Sequence, residues 1–371
     1  MFSKRKSFLG FVVLLLGLLL ALTACGSKNS GGNESANSGE GEKKDESSGK
    51  VYELNVNNWN PSMHHYVYNV FDPWKEMVEE KTEGRVKVNL YHGGSLGKSS
   101  SVYQDVKGGV YELSLAVANY FYDTDMFPYT IGNLPFAFDN AEDAAKVMKK
   151  FGEKYANETL SKDVIVFDPI TTDPYDLFAT KPIKSVDDLK KTKMRASGKS
   201  ETELEKSIGA VPVSLTVDDT YEGLQKKQID TSFYTPIGAV GLKFYEPAPY
   251  ITKLQASVTP IIPMMNKDFY ESLPEDIQKM FDEEFGPKLS EMFIESYTKE
   301  LEKSYKTLEK EVEGRGEIIT LSDKEAQRFK EAGKPAWDAW IEDADKKGYN
   351  GQEMVDELFK IMEEEGLQKP F

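Results

Sequence analysis

The alternation of apolar and polar residues predicts a strand–helix–strand unit at the start of the folded part of the chain. Residues 52–57 alternate like a half-buried strand, and residues 85–91 do so again. Between them, residues 66–81 carry apolar side chains at helical spacing, and the Thr-Glu-Gly sequence at 82–84 ends the helix. This order of elements predicts parallel pairing of the two strands and an α/β layer architecture.

The same kind of pattern continues through the middle of the chain. Strands or extended segments are predicted at 113–117, 164–167, 177–179, 193–196 and 211–213. Helices are predicted at 101–107, 186–190, 201–208 and 216–228. Thr216 is the expected N-cap of the last of these helices, because acidic residues follow it in the first turn.

The C-terminal third is predicted to be mainly helical. The first helical pattern runs from 274 toward 314 with an expected break at Pro287, and two more cover 323–347 and 351–366. Two α/β lobes followed by helices predict a cleft between the lobes, which is a common place for a ligand site.

The first 25 residues have the pattern of a secretory leader. Basic residues at 4–6 precede an apolar run at 8–22, and small residues follow up to Cys25. The apolar run is shorter than the roughly 20 residues of a bilayer-spanning helix. The pattern therefore predicts a signal peptide at residues 1–24. Cys25 is the only cysteine in the chain, so an intrachain disulfide is impossible.

The sequence Leu-Thr-Ala-Cys that ends at Cys25 resembles the lipobox of bacterial lipoproteins. This resemblance implies cleavage before Cys25 and a lipid on its sulfur, although a stray cysteine in an ordinary signal peptide is the alternative. Residues 25–50 are rich in Ser, Gly, Asn, Glu and Lys and predict a flexible linker. A folded domain at 51–371 would then be lipid-anchored at the outer face of the cytoplasmic membrane.

Charge and motifs exclude several function classes. The net charge of -16 argues against nucleic acid as a partner. We find no nucleophile elbow, no phosphate-binding loop and no metal-ligand spacing among the three histidines. His64 and His65 are expected at the start of a helix or on the surface rather than on a metal. The sequence thus predicts no catalytic residue, cofactor or metal, although a triad assembled in space cannot be read from sequence.

Several short segments, taken in order, resemble the DctP family, the solute-binding component of TRAP (tripartite ATP-independent periplasmic) transporters. They are Gly94-Ser95-Leu96-Gly97, Leu134-Pro135-Phe136, residues 181–195, residues 209–213, residues 221–225, residues 228–230 and residues 243–246. The resemblance covers nearly all of residues 51–366. It implies a two-lobe, periplasmic-binding-protein-like α/β clamp with a long lobe-spanning helix. It also implies an organic-acid ligand, no catalysis, and a membrane permease as the partner.

The resemblance gives Arg195 the leading role in ligand binding. In this family, the arginine of the Lys-x-Arg segment at 193–195 forms a salt bridge with a ligand carboxylate. A guanidinium offers a rigid two-donor fork that matches a carboxylate. An ordinary surface arginine at a strand end is the alternative interpretation.

Two departures from the family pattern change the expected ligand. Tyr175 stands where many relatives carry a second arginine, and Tyr234 stands where they commonly carry an asparagine. We therefore expect one carboxylate on Arg195, with the rest of the ligand against Tyr175, Tyr234 and Phe233. Aromatic acids, keto acids or sugar acids become more plausible than succinate or malate. Packing of the tyrosines at the hinge is the alternative.

Four further ligand contacts are expected near strand ends and in the cleft. Trp59 and Asn60 follow the first strand, Asn119 follows the third, and Tyr221 lies in the helix after Thr216. Trp59 could equally be a core residue. An ABC-type binding lipoprotein, a lipid-anchored hydrolase and a sensory ligand-presenting protein are the competing function classes.

Overall fold

The computed structural model describes residues 49–371, which belong to one compact unit. The predicted signal peptide at 1–24, the lipidation site at Cys25 and the linker up to residue 48 lie outside the described residues. Within 49–371, no helix combines the length and the apolar character that a bilayer crossing requires.

The described chain contains two mixed β-sheets. Their strands are β1 Tyr52–Asn57, β2 Val86–Tyr91, β3 Leu113–Val117, β4 Val164–Val166, β5 Ile170–Thr171, β6 Asp176–Ala179, β7 Lys193–Ala196, β8 Val211–Ser214, β9 Thr231–Tyr234, β10 Tyr250–Lys253, β11 Pro260–Asn266 and β12 Glu317–Thr320.

Helices cover both faces of the sheets. The α-helices are α1 Asp72–Lys81, α2 Val102–Lys107, α3 Ala141–Tyr155, α4 Asn157–Leu160, α5 Lys199–Ser207, α6 Thr220–Gln225, α7 Pro236–Gly241, α8 Lys267–Ser272, α9 Glu275–Met280, α10 Gly286–Val312, α11 Asp323–Lys346 and α12 Gly351–Glu364. Wider π turns at Val67–Phe71 and Phe281–Phe285 precede α1 and α10. Short 3₁₀ turns cover Ala118–Phe121, Phe127–Asn133, Val186–Leu189 and Val217–Asp219.

The first lobe is built on the sheet with strand order β2-β1-β3-β11-β4, and β5 pairs with β11 at its end. β1 and β2 pair in parallel, with Tyr52 opposite Val86, which confirms the predicted strand–helix–strand unit. β11 runs antiparallel to β3, β4 and β5. The second lobe is built on the sheet β12-β10-β6-β9-β7-β8.

The chain passes between the lobes twice in extended form, at residues 172–175 and 254–259. These two crossings are hydrogen-bonded to each other: the Tyr175 N–H donates to Ser257 O (2.7 Å), and the Ala256 N–H donates to Tyr175 O (2.8 Å). α10 contacts α3 and β5 in the first lobe and α7 and β12 in the second. The predicted two-lobe fold with a lobe-spanning helix is therefore confirmed.

Two details of the helix prediction are wrong. The chain stays helical through Pro287, which lies in the first turn of α10 after the π turn. In the π turn, the Gly286 N–H reaches back to Phe281 O, and this register shift accommodates the missing proline donor. Thr216 does precede the helical turn at Val217, but its side chain makes no capping hydrogen bond.

Tryptophan side chains attach the C-terminal helices to the first lobe. The buried indole of Trp74 in α1 donates to Phe285 O (2.8 Å), just before α10. Trp340 of α11 stacks on Phe127 with ring centroids 5.1 Å apart and donates to the Thr130 hydroxyl (2.9 Å). Because α11 also packs on α5 of the second lobe, it forms a further link between the lobes.

Candidate ligand-binding site

A small cavity lies where the two lobes, the two crossings and α10 meet. Its volume is about 20 Å³, which is room for a water molecule but not for an organic acid. The lobes must therefore separate before a solute of that size can enter. The lining residues are Trp59, Asn60, His64, Tyr66, Val117, Tyr120, Thr172, Tyr175, Val217, Tyr234, Thr235, Gly238, Thr259, Ile261 and Tyr297.

Arg195 lies directly behind the cavity wall and is only 1% exposed. In β7, Met194 points into the core of the second lobe, and Arg195 projects from the opposite face of the strand. Its Nε donates to Leu215 O (3.1 Å), and its Nη2 donates to the hydroxyl of Tyr120 (3.0 Å). Its Nη1 is buried and has no hydrogen-bond partner among the described residues.

The guanidinium also lacks a directly paired anion. Within residues 49–371, no carboxylate oxygen lies within 4.0 Å of Arg195, although arginine is always protonated in proteins. The guanidinium also lies near the ring of Tyr234, and its carbon is 5.8 Å from the centroid of that ring. A buried charge with an unused donor and no ion pair is costly to hold, and an anionic ligand would relieve that cost.

Two glutamates of α5 lie close to Arg195 and were not identified from the sequence. Glu201 accepts a hydrogen bond from the Ser197 N–H (2.7 Å) through Oε2. Glu205 is fully buried, and neither of its oxygens has a hydrogen-bond partner within residues 49–371. Burial raises the pKa of Glu205 well above its usual value, Glu201 raises it further, and Arg195 opposes both. Burial thus favours the neutral form of Glu205, so this carboxyl compensates the Arg195 charge less than an ionised one would.

Tyr175 and Tyr234 face each other across the cavity wall with ring centroids 5.7 Å apart. Tyr234 also packs on Phe244, at 4.8 Å between centroids. Burial raises the pKa of both phenols far above the usual value for tyrosine, so both keep their hydrogen at neutral pH. They offer the cavity flat apolar faces and hydroxyl groups, as the sequence predicts, and they also lie at the hinge.

His64 adds a neutral donor to the cavity. Burial lowers the pKa of His64 to about 3, so the imidazole is uncharged at neutral pH. Its Nδ1 accepts from the Tyr66 N–H (3.4 Å), which places the ring hydrogen on Nε2. His65 is equally buried and is hydrogen-bonded through Nδ1 to the Ser296 hydroxyl of α10 (2.7 Å). Both histidines stand at the start of a helix, as expected, but neither is on the surface.

A buried carboxyl group lies in the first crossing. Asp173 is 2% exposed, and its Oδ1 accepts from the hydroxyl of Thr235. Its Oδ2 has no partner among the described residues. Burial raises the pKa of Asp173 well above the usual range, which outweighs the opposing hydrogen bond from the Ile237 N–H. Burial therefore favours the neutral form of Asp173, which reduces the negative charge next to the cavity.

The structure brings half of the expected ligand contacts to the cavity. Trp59, Asn60, Tyr175 and Tyr234 line it, and Arg195 lies behind it. The Trp59 indole donates to Leu115 O (2.9 Å), and Asn60 Oδ1 is buried without a partner.

The other three expected contacts lie elsewhere. Phe233 is fully buried on the opposite face of β9 from Tyr234. Tyr221 lies on α6 near the surface and donates to Glu246 (2.5 Å). Asn119 faces Ser197 (3.3 Å) across the opening between the lobes.

Several lining residues escaped the sequence interpretation. The rule that ligands bind beyond strand ends does mark Tyr120, which follows β3 by three residues and adjoins the expected contact Asn119. His64, Tyr66, Thr235 and Tyr297 carry no such signal, since tertiary packing alone brings them together. In the part of the chain that the structure describes, no group of three His, Cys, Asp or Glu side chains is placed to hold a metal.

The balance of polar groups in the cavity favours an anion. The lining supplies neutral donors from imidazole and phenols, Arg195 stands directly behind it, and burial favours the neutral forms of Asp173 and Glu205. No lysine or arginine belongs to the lining itself among the described residues. After the lobes separate, these groups can hold one carboxylate and pack a planar remainder against the tyrosine rings.

Comparisons with known proteins agree on one family. Residues 57–343 match the family model of DctP, bacterial extracellular solute-binding protein family 7. The C4-dicarboxylate-binding periplasmic protein DctP of Vibrio cholerae is 24% identical over 276 residues, which is 72% of this chain and 80% of the relative.

Two solved structures share the fold. A TRAP solute-binding protein from Rhodoferax ferrireducens, in complex with copurified benzoate, is 22% identical with a TM-score of 0.78 and covers 85% of this chain and 98% of its own. A marine metagenome TRAP solute-binding protein described as specific for aromatic acids, in complex with 3-hydroxybenzoate, is 24% identical with a TM-score of 0.79. That alignment covers 85% of this chain and 99% of the other.

Proposed function

The chain belongs to the DctP family of extracellular solute-binding proteins, and on that premise we propose that it captures a small monocarboxylic acid through Arg195 and delivers it to a TRAP permease. Binding proteins of this family take up small organic acids outside the cytoplasm and work with membrane permease subunits. This membership favours the TRAP class over the ABC-type alternative.

The observation that carries the proposal is the state of Arg195. Its guanidinium is buried, two of its nitrogens are hydrogen-bonded, and Nη1 has no partner among the described residues. A ligand carboxylate that accepts from Nη1 would supply the missing anion. Such a charge-assisted bond in a water-excluded site is about twice as strong as a neutral one.

The surroundings support a ligand with one carboxylate and an aromatic or otherwise flat remainder. Among the described residues, no lysine or arginine lines the cavity and Arg195 stands behind it, whereas a dicarboxylate would leave its second charge facing neutral phenols and His64. The rings of Tyr175 and Tyr234 offer flat apolar surfaces for the rest of the molecule. Two structurally similar proteins hold benzoate and 3-hydroxybenzoate, and this class of acid is therefore the first to test.

A lipid anchor completes the proposal. Acylation of Cys25, followed by the polar linker up to residue 50, would hold the binding domain near the outer face of the cytoplasmic membrane. Metabolic labelling with a fatty-acid analogue tests this part separately. Label on the wild type and none on Cys25→Ser is the expected result, and equal labelling of both contradicts it.

The ligand proposal is tested by titration calorimetry of the purified protein with benzoate, 3-hydroxybenzoate, mandelate and succinate. We expect at least one aromatic acid to bind more tightly than succinate, and Arg195→Ala to lose that binding. Arg85→Ala is the matched control, because Arg85 is paired with Asp276 (2.7 Å) on the surface. Tight succinate binding without aromatic-acid binding, or full binding by Arg195→Ala, contradicts the proposal.

A further inference from the structure

Tyr120 occupies a position that links the cavity to both lobes. It belongs to the 3₁₀ turn Ala118–Phe121 directly after β3 of the first lobe, and its ring lines the cavity. Its hydroxyl oxygen accepts from Nη2 of Arg195 (3.0 Å) and from the N–H of Val217 (2.9 Å). Both of these donors belong to the second lobe, so one phenol oxygen spans the closed cleft.

The hydroxyl of Tyr120 accepts two hydrogen bonds, but its own hydrogen is not donated to any of the described residues. A phenol oxygen can accept two hydrogen bonds and donate one, and the two accepting positions of Tyr120 are filled. No acceptor for its own hydrogen lies within hydrogen-bonding distance among residues 49–371. Burial raises the pKa of Tyr120, although Arg195 and the Val217 N–H oppose the rise, so the hydrogen is retained at neutral pH.

Two adjoining side chains therefore each have one unused donor. These donors are the O–H of Tyr120 and Nη1 of Arg195, and the two groups are already hydrogen-bonded to each other. Adjacent donors of this kind match the two oxygens of a carboxylate. The bonds that Tyr120 accepts, one of them from a cation, polarise its O–H and make it a stronger donor.

We propose that Tyr120 is a ligand-binding residue whose phenol donates to the same carboxylate that Arg195 binds, and that this shared contact couples ligand capture to closure of the lobes. The inference rests on the proposed function, since it needs an acid at Arg195. A carboxylate held by Tyr120 from the first lobe and Arg195 from the second bridges the cleft. A solute without a carboxylate offers no such bridge.

The experiment compares wild type and Tyr120→Phe in titration calorimetry with the tightest-binding acid of the four-acid panel. Tyr120→Phe keeps the ring and removes only the hydroxyl. Loss of a hydrogen bond to a charged group is expected to weaken binding about 10- to 100-fold. Small-angle scattering of the same samples should show that the acid reduces the radius of gyration less in Tyr120→Phe than in the wild type.

Two further variants separate a ligand contact from a structural role. Tyr122→Phe removes a hydroxyl that donates to Asp343 (3.0 Å) outside the cavity, and it should bind the acid like the wild type. Val217→Pro removes one donor to Tyr120 but keeps the phenol. The extended backbone of Thr216 (φ -73°, ψ 168°) accommodates a following proline. Val217→Pro should therefore lose less affinity for the acid than Tyr120→Phe does.

The outcomes are distinct. If Arg195→Ala abolishes binding while Tyr120→Phe binds like the wild type, the Tyr120 inference is overturned and the proposed function stands. An equal loss in Val217→Pro and Tyr120→Phe also overturns it, because the intact turn rather than the phenol would then matter. If the wild type binds none of the acids, the proposed function fails and the inference fails with it.

Discussion

Tyr305 of α10 donates a 2.6 Å hydrogen bond to Asp176 of β6, at the point where the first crossing enters the second lobe. The other oxygen of Asp176 accepts from the N–H groups of Leu254 and Gln255, where the second crossing begins. One buried carboxyl group thus ties the lobe-spanning helix to both crossings. These hydrogen bonds fix where the two crossings meet α10, at the level of Tyr305.

Removal of the Tyr305 hydroxyl should destabilise the whole fold. Tyr305→Phe leaves a buried oxygen of Asp176 without its donor, and the free energy of unfolding should fall by about 1–3 kcal/mol. Urea unfolding followed by circular dichroism measures the change. Tyr270→Phe is the matched control, because Tyr270 donates to Asp282 (2.7 Å) on the surface and should cost less than about 0.5 kcal/mol. Equal losses in the two variants would contradict this view of the hinge.

Arg195→Met should separate stability from binding. The substitution keeps most of the side-chain volume and removes a buried charge that has no paired anion. Replacement of a buried ion pair by apolar residues is often neutral or stabilising, and among the described residues no carboxylate lies within 4.0 Å of Arg195 to be left unpaired. The ligand-free melting temperature should therefore be unchanged or higher, while binding of the panel acids is lost. A large drop in the ligand-free melting temperature would instead assign Arg195 a structural role.

Glu205 should make the wild type less stable as pH rises. Its folded pKa is raised above the unfolded value of about 4.3 by burial, assisted by Glu201 and opposed by Arg195. Between these two pKa values, the native state keeps a proton that the unfolded chain has released, so the free energy of unfolding falls with pH. Glu205→Gln should remove this slope in urea titrations from pH 4 upward. Glu203→Gln, on the exposed side of α5 and paired with Lys206, should retain it.

His64 should make the protein less stable as pH falls, which is the opposite of the effect of Glu205. Its folded pKa of about 3 lies below the unfolded value of 6.5, so the unfolded state binds more protons between these values. Stability should fall as pH drops below 6.5, by about 2 kcal/mol from this residue at pH 5. His64→Gln should lose that contribution. His92→Gln should show a smaller effect, because His92 is only partly buried; a reversed order of the two variants would be inconsistent with this assignment.

The sequence predicted the elements whose burial pattern is simple. β1 and β3 have the predicted bounds, because the β1 sequence alternates and β3 is apolar apart from Ser114. β11 was not predicted, because its sequence contains Pro260 and Pro263, and proline is rare in central strands. The structure nevertheless places β11 in the middle of the first sheet. Leu115, the register partner of Pro263, accepts through its carbonyl from the Trp59 indole.

The site was predictable only where a family pattern or a strand end marked a residue. Arg195, Tyr175 and Tyr234 came from the pattern, and Trp59 and Asn60 came from the end of β1. The raised pKa values of Asp173 and Glu205 were not predictable, because they depend on burial that a sequence does not reveal. The two hydrogen bonds that Tyr120 accepts were likewise not predictable, because their donors, at residues 195 and 217, are distant from Tyr120 in sequence.

The mutual hydrogen bonds between the two crossings restrict how the lobes move. Because Tyr175 is bonded to Ser257 and Ala256, the crossings bend together as a single ribbon instead of sliding past each other. We expect opening to be a rotation of the lobes about one hinge axis, with the cavity close to that axis. The displacement of an atom grows with its distance from the hinge axis. A rotation that opens the cavity by a small amount thus produces a larger displacement at the surface far from the hinge.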